Sequence, residues 1–346
     1  MIRTASPYTP AVAPLASIVH TVDPYLIRFG SSGFGIRWYG LAYIAGFLAG
    51  WSILRWFART GRTSLSVDRI GDLITALIVG VLVGGRVGHV VFYEPRLLTT
   101  FDGTFPFWGL LAINRGGMSS HGGMLGVFLA CLWASRRFSV PFLHVADLVA
   151  FVAPIGLGLG RLANWANGEL PGKALPAAMQ AAPPWWSVKY PEEVFDEAFW
   201  RIAPEQKLEA LGAFAQPGVE LPRAIFDACY AGNAQVIEAL TPFLTARYPN
   251  NFLQALTDGP ILGAIVVLVW LRPRRPGCVA GAFLLGYGIL RLLTEQYREP
   301  DPDILTLGPV TLPMTLSALL AVAGLATMLV ARRSSQPRSG GLLPAA

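Results

Sequence analysis

The chain has 346 residues, of which 53% are hydrophobic and only 14% charged, with a formal net charge of +6. Ordinary soluble domains carry roughly 25% charged residues, so this shortage of polar surface excludes a soluble globular protein and makes lipid the expected solvent. The basic residues stand in short clusters beside apolar runs, a pattern of membrane topology and not of a nucleic-acid partner, and the three cysteines and four histidines form neither a disulfide framework nor a metal motif.

The opening residues, MIRTASPYTPAVAPLASIVHTVDP, are broken by prolines and hold no continuous apolar stretch. No cleaved signal peptide is expected, and residues 1–34 read as an extracytoplasmic N-terminal segment. A spanning helix needs about 20 apolar residues. Seven are predicted, at about Gly35–Leu54, Ile70–Tyr93, His121–Ser135, Phe142–Trp165, Pro260–Leu271, Gly277–Leu293 and Leu312–Ala331. The third and fifth are short, so they either begin before the apolar run or tilt against neighbours. Arginines mark alternate junctions: Arg55, Arg59, Arg62 and Arg69; Arg136 and Arg137; Arg272, Arg274 and Arg275; Arg332, Arg333 and Arg338. These junctions are expected in the cytoplasm, which puts the N-terminus outside and the C-terminus inside. The fold class is therefore an all-α integral membrane protein, with four spans in 35–172 and three in 249–332.

Residues 173–248 differ: they are rich in acids, flanked by prolines, and read as short amphipathic helices forming an extracytoplasmic head. The end of the chain, 333–346, reads as a disordered cytoplasmic tail. Glycines at helical spacing (Gly80, Gly84 and Gly88; Gly156 and Gly160) are a packing signal.

Ionisable groups at membrane depth are costly, roughly 2.5–3.5 kcal/mol at a helix centre, and persist where they face a cavity. Arg86, in VLVGGRVGHVVFY, is either paired with an internal carboxylate such as Asp147 or part of an anion site. His121 lies among five glycines in GGMSSHGGMLG, which suggests a flexible or tightly turning backbone around a group able to take a proton. GLGLGRLANWANGELPG is the densest polar cluster. On a helix Arg161, Asn164 and Gly168 share one face, with Asn167 and Glu169 at an end closed by Gly and Pro. Arg291, Glu295 and Arg298 form one stripe, either an interfacial ion-pair ladder or a guanidinium held by Glu295 and aimed at a phosphate. Arginine forks near the outer half of a membrane suit a phospholipid headgroup.

IRWYGL at Ile36–Leu41, GGRVGHVVFY at Gly84–Tyr93, GGMSSHGG at Gly116–Gly123, GRLANWANGELPG at Gly160–Gly172 and GYGILRLLTEQYREPD at Gly286–Asp301 occur in this order. Together they resemble the bacterial prolipoprotein diacylglyceryl transferase family, a family described as having seven spans with the N-terminus outside. The resemblance implies a multi-pass enzyme of the bacterial cytoplasmic (inner) membrane. Its substrates would be phosphatidylglycerol and the lipobox peptide of a preprolipoprotein, whose cysteine gains a diacylglyceryl thioether as glycerol phosphate leaves. It implies that Arg161 and Arg291 are the important arginines, with His121, Tyr39, Asn164, Glu169 and Gly172 around them; Arg86, Glu295 and Arg298 join the substrate-binding set. The attacking thiolate belongs to the substrate, the leaving phosphate ester needs charge stabilisation, and His121 or Tyr39 takes or relays the thiol proton. No metal or cofactor is needed.

Several positions depart from the family pattern. Arg115 replaces an acid, Ser120 an aromatic residue, and Met314 a glutamine; RYPNNFLQ at Arg247–Gln254 stands where RHPSQLYE is usual; the head is longer. Two other readings fit the same arginines, a transporter of an anionic solute and a non-catalytic lipid-binding paralogue. No internal repeat of the transporter kind is visible.

Overall fold

The computed structural model describes residues 17–29, 34–103, 106–113, 116–300, 306–307 and 310–343. The signal-peptide reading of the first residues and the departure at Arg115 lie largely outside them. Within this range the chain is mostly helical. The long helices are α1 (Trp38–Arg59), α2 (Val67–Phe92), α3 (Ser120–Phe138) and α4 (Phe142–Ala166). The short helices α5 (Ala177–Gln180), α6 (Glu197–Arg201), α7 (Pro204–Leu211), α8 (Leu221–Tyr230) and α9 (Ala234–Leu240) follow. Next come α10 (Asn250–Leu256), which runs through a π-turn into α11 (Leu262–Trp270), then α12 (Cys278–Glu295) and α13 (Leu312–Arg333). Three two-stranded pairs and short 3₁₀ turns, one of them at Pro191–Phe195, accompany the helices: β1 (Ile18–Val19) pairs with β4 (Val188–Lys189), β2 (Tyr25–Phe29) with β3 (Phe34–Arg37), and β5 (Thr306–Leu307) with β6 (Val310–Thr311).

Among the described residues, six helices are long and apolar enough to cross a membrane: α1, α2, α4, Asn250–Trp270, α12 and α13. The third predicted span forms a helix of 19 residues, but among the described residues it is not one of these six. The fifth begins at Asn250 and not at Pro260, so its apolar run is preceded by three helical turns of polar and mixed residues. The apolar exterior fits lipid: Val322 and Val330 of α13 are more than 60% exposed.

The chain divides into two compact units. The first comprises residues up to Trp38, Asn164–Leu253 and Tyr297–Asp301. Its core gathers Val194, Phe199, Leu211, Ile225, Val236 and Leu240 beneath the amphipathic helices α6 to α9, the periodicity that the sequence between Pro191 and Leu244 displays.

The second unit holds Tyr39–Ala163, Gln254–Gln296 and the residues from Pro302 onward. Phe57 stacks on Trp270 with ring centroids 5.2 Å apart, in a core that includes Leu54, Ile70, Leu73, Leu148 and Val266. α2 and α3 touch through backbone. A Cβ at Gly80 would meet the Gly126 carbonyl at 2.5 Å, and one at Gly84 would meet the Gly122 carbonyl at 2.4 Å. Only glycine permits that approach. Of the second glycine pair, Gly156 lies against Gly46, while Gly160 has open space; Gly158 instead meets Gly259.

Two expectations change here. Asp147 does not pair with Arg86: its carboxylate accepts from the Gly277 and Ala280 amides, both at 2.7 Å, and so caps the start of α12. The tail is not a free end. Ser339 pairs with Arg274 through backbone hydrogen bonds, and the Leu342 and Leu343 amides donate to the Leu271 carbonyl. Gly340 and Gly341 take positive φ where a Cβ would strike Trp270 and Pro273, so the last described residues lie tight against the end of α11.

Candidate functional site

In the first unit, Gly168 closes α4. Its φ is +69°, its amide donates to the Trp165 carbonyl at 2.9 Å, and the Glu169 amide donates to Asn164 at 2.9 Å. The left-handed glycine therefore takes Gly168 off the helix, so it does not share a helical face with Arg161 and Asn164. Asn164 and Glu169 come together across this turn, with the amide donating to the carboxylate at 3.4 Å. The turn is held from behind. Asn251 donates to the Glu169 carbonyl at 2.8 Å and Asn250 to the Leu170 carbonyl at 3.2 Å. Gly172 sits where a Cβ would be 2.1 Å from the Tyr248 carbonyl. Its own carbonyl accepts from Arg247, whose guanidinium also pairs with Glu193 at 3.0 Å and Glu299 at 3.3 Å.

Arg298 is buried and bridges to Gly172 through backbone. α12 stops at Glu295 and the chain turns, so Arg298 leaves the helical stripe predicted for it. The stripe itself survives as Arg291 and Glu295, a buried i,i+4 pair at 2.8 Å in the second unit.

Arg161 is also in the second unit. Its Nε donates to Asp258 Oδ2 at 2.8 Å, and it also donates to the Tyr287 hydroxyl. Asp258 sits in the π-turn Thr257–Ile261 ahead of Pro260. A proline there lacks an amide donor and widens the helix by one residue, which turns the carboxylate inward. The close approach of Gly158 and Gly259, where a Cβ on one would stand 3.0 Å from the other, lets α4 pass beside this bulge.

Tyr39 is half-buried in the first turn of α1, and His121 is exposed in the first turn of α3. The helix is capped by Ser119, whose hydroxyl accepts from the Gly122 amide. The backbone at His121 is thus regular helix. Gly122 and Gly126 serve helix packing, and the positive φ values belong to Gly116 and Gly117. Arg86 holds the connection between α2 and α3. It donates to the carbonyls of Gly109, Leu110, Gly116 and Gly117 at 2.5 to 3.0 Å.

The family model for prolipoprotein diacylglyceryl transferase matches residues 24–330. A phosphatidylglycerol–prolipoprotein diacylglyceryl transferase of Bdellovibrio bacteriovorus is 37% identical, over 94% of this chain and 97% of that protein. Proteins of the same description from Rhodospirillum rubrum and Geobacter sulfurreducens are 34% and 33% identical, over 90% and 91% of this chain and 93% and 98% of theirs. The chain belongs to the prolipoprotein diacylglyceryl transferase family. The positions expected to depart from the family pattern have places in this geometry. Asn250 and Asn251, in RYPNNFLQ, are the two amides that hold the signature turn. Ser120 opens α3, and the Met314 amide donates to the capping Thr311 hydroxyl at 3.4 Å.

Asp258 and Tyr287 are the partners of Arg161 that the sequence does not announce. An acid just before Gly-Pro at the mouth of an apolar run is a visible signal for Asp258. Pro260 reads as the boundary of the apolar run and hides the acid ahead of it. Nothing in GYGILR marks Tyr287 as the partner of a residue on another helix.

Proposed function

We propose that this protein transfers the diacylglyceryl group of phosphatidylglycerol to the lipobox cysteine of preprolipoproteins. The observation that carries the reading is the match to relatives of that description over nine-tenths of the chain. The arrangement of Arg161 supports it: a guanidinium oriented by Asp258 and Tyr287 keeps other N–H donors for a phosphate oxygen. In the step, the thiol sulfur forms a bond to the terminal carbon of the diacylglyceryl group. The carbon–oxygen bond to phosphate breaks, and glycerol phosphate leaves with the electron pair. Arg161 and Arg291 stabilise the charge that gathers on the leaving phosphate. The proton of the thiol passes to His121 or Tyr39. Asn164, Glu169, Gly172, Arg298 and Glu295 complete the substrate-binding set.

The protein is taken to sit in the bacterial cytoplasmic membrane with seven spans, α3 included, the N-terminus and the head outside. The basic junctions support this orientation, and neighbours in the protein can cover the less apolar α3. Arg86 is better assigned to holding the connection between α2 and α3 than to phosphate, because its guanidinium already serves four carbonyls.

The test uses purified protein in liposomes with labelled phosphatidylglycerol and a synthetic lipobox peptide. Label is expected on the peptide cysteine with wild type, and not with a Cys-to-Ser peptide or with Arg161→Lys. Binding of the labelled lipid by a folded wild type without transfer would overturn the reading in favour of a lipid-binding relative.

A further inference from the structure

Behind the signature turn, in the first unit, lies a partly buried polar cluster that the transfer chemistry above does not use. His20 follows β1 and is fully buried, stacked on Tyr190 with centroids 5.5 Å apart and edge-on to Trp165 at 5.4 Å. Its Nδ1 lies 2.8 Å from the Tyr230 hydroxyl at the end of α8, and that hydroxyl donates in turn to Glu192 Oε1. A histidine, a phenol and a carboxyl from three separate elements thus form one hydrogen-bonded relay.

The relay ends on the Gly168 turn. A Cβ at Gly168 would lie 2.6 Å from Glu192 Oε1 and 3.5 Å from the His20 ring. The carboxyl therefore fills the space that a side chain would need at the residue that closes α4. Immediately before it, the side-chain oxygen and nitrogen of Asn167 are both buried with no hydrogen-bond partner among the described residues, as is Glu192 Oε2. Buried polar atoms without partners cost about 1–3 kcal/mol each, and they are retained where something else completes them.

We propose that His20, Tyr230 and Glu192 are positioning residues of the transferase: the relay seats the Gly168 turn and so sets Asn167 and Glu169 for the polar part of the substrate. This rests on the transferase reading. The relay acts through the turn and touches no reacting atom. Tyr230 fixes the Glu192 carboxyl, Glu192 fixes the turn, and His20 fixes Tyr230 while filling the space beside Trp165. The other titratable groups nearest the relay are Tyr190, Glu193, Cys229 and, through Tyr190, Arg247.

Two measurements on the full-length protein in liposomes test this. One is diacylglyceryl transfer with kcat and KM separated; the other is hydrogen exchange at the Gly168 and Glu169 amides. Tyr230→Phe removes one hydroxyl. It is expected to lower kcat about tenfold, a loss of transition-state positioning, and to speed exchange at both amides while the thermal melt of the protein stays near wild type. Glu192→Gln, which keeps an acceptor for the phenol, is expected to lose less than Glu192→Ala. Gly168→Ala is expected to impair transfer, because the new methyl would meet Glu192 Oε1 and the residue holds a positive φ. Unchanged exchange in Tyr230→Phe, or faster exchange with undiminished kcat, would each overturn the proposal. An inactive wild type would instead count against the transferase reading, and the exchange rates would then decide alone whether the relay holds the turn.

Discussion

Arg161 and Asp258 are joined Nε to Oδ2 at 2.8 Å, with the carboxylate 0% exposed and the guanidinium side chain 16% exposed. Removing one member of a buried pair costs about 3–5 kcal/mol, because the other charge is left without compensation. Arg161→Ala is therefore expected to lower both stability and transfer. The informative comparison is Arg161→Met with Asp258→Leu. The double variant is expected to melt near wild type in detergent and to transfer nothing. A double variant that retains transfer would remove Arg161 from the chemistry.

Arg86 is expected to behave as a structural residue. Each hydrogen bond from a charged donor is worth roughly 1.5–3 kcal/mol, and Arg86 makes four to carbonyls in Gly109–Gly117. Arg86→Gln should lower the melting temperature and expose the segment between α2 and α3 to limited proteolysis. Correctly folded Arg86→Gln with a specific loss of phosphatidylglycerol binding would restore the anion-site reading.

The α2–α3 contact makes a sharp prediction about size. Gly126→Ala would place a methyl 1.9 Å from the Gly80 carbonyl, so the helices must part, at a cost of about 1–3 kcal/mol or more. Gly71→Ala, on α2 with open space around it, is the control. It is expected to stabilise slightly, by about 0.5–1 kcal/mol. Thermal unfolding in detergent separates the two.

The head should lose stability on both sides of its optimum. Burial pushes the His20 imidazole below its ordinary 6.5. The unfolded chain then binds the proton first, so stability is full above 6.5 and falls as pH drops through the lowered value. Burial also pushes Glu192 above its ordinary 4.5. Its contribution is full below 4.5 and is lost as pH rises through the raised value. Hydrogen exchange across residues 188–240 is expected to quicken at the acid end, less so in His20→Gln. The rise toward the alkaline end should be weaker in Glu192→Gln.

Much of this architecture was legible from local chemistry. Apolar runs of spanning length, the amphipathic stretches from Pro191 to Leu244 and the glycine ladder of α2 each follow from periodicity or residue size, which neighbours in sequence determine. The i,i+4 pair of Arg291 and Glu295 was legible for the same reason. The start of the fifth long helix was not, because Pro260 reads as a boundary and only a π-turn accommodates it.

What the sequence determined by itself, then, is the solvent, the helices and the residue types gathered at the signature. Tertiary structure alone decided which partner the polar groups far apart in sequence take. Arg86 found carbonyls in place of Asp147, Asp147 found the amides of Gly277 and Ala280, and Arg161 found Asp258. It also returned the tail to the end of α11. The physical reason is one of range: helical periodicity is set within a few residues, whereas a buried charge is satisfied by whatever packing brings beside it, at any distance along the chain.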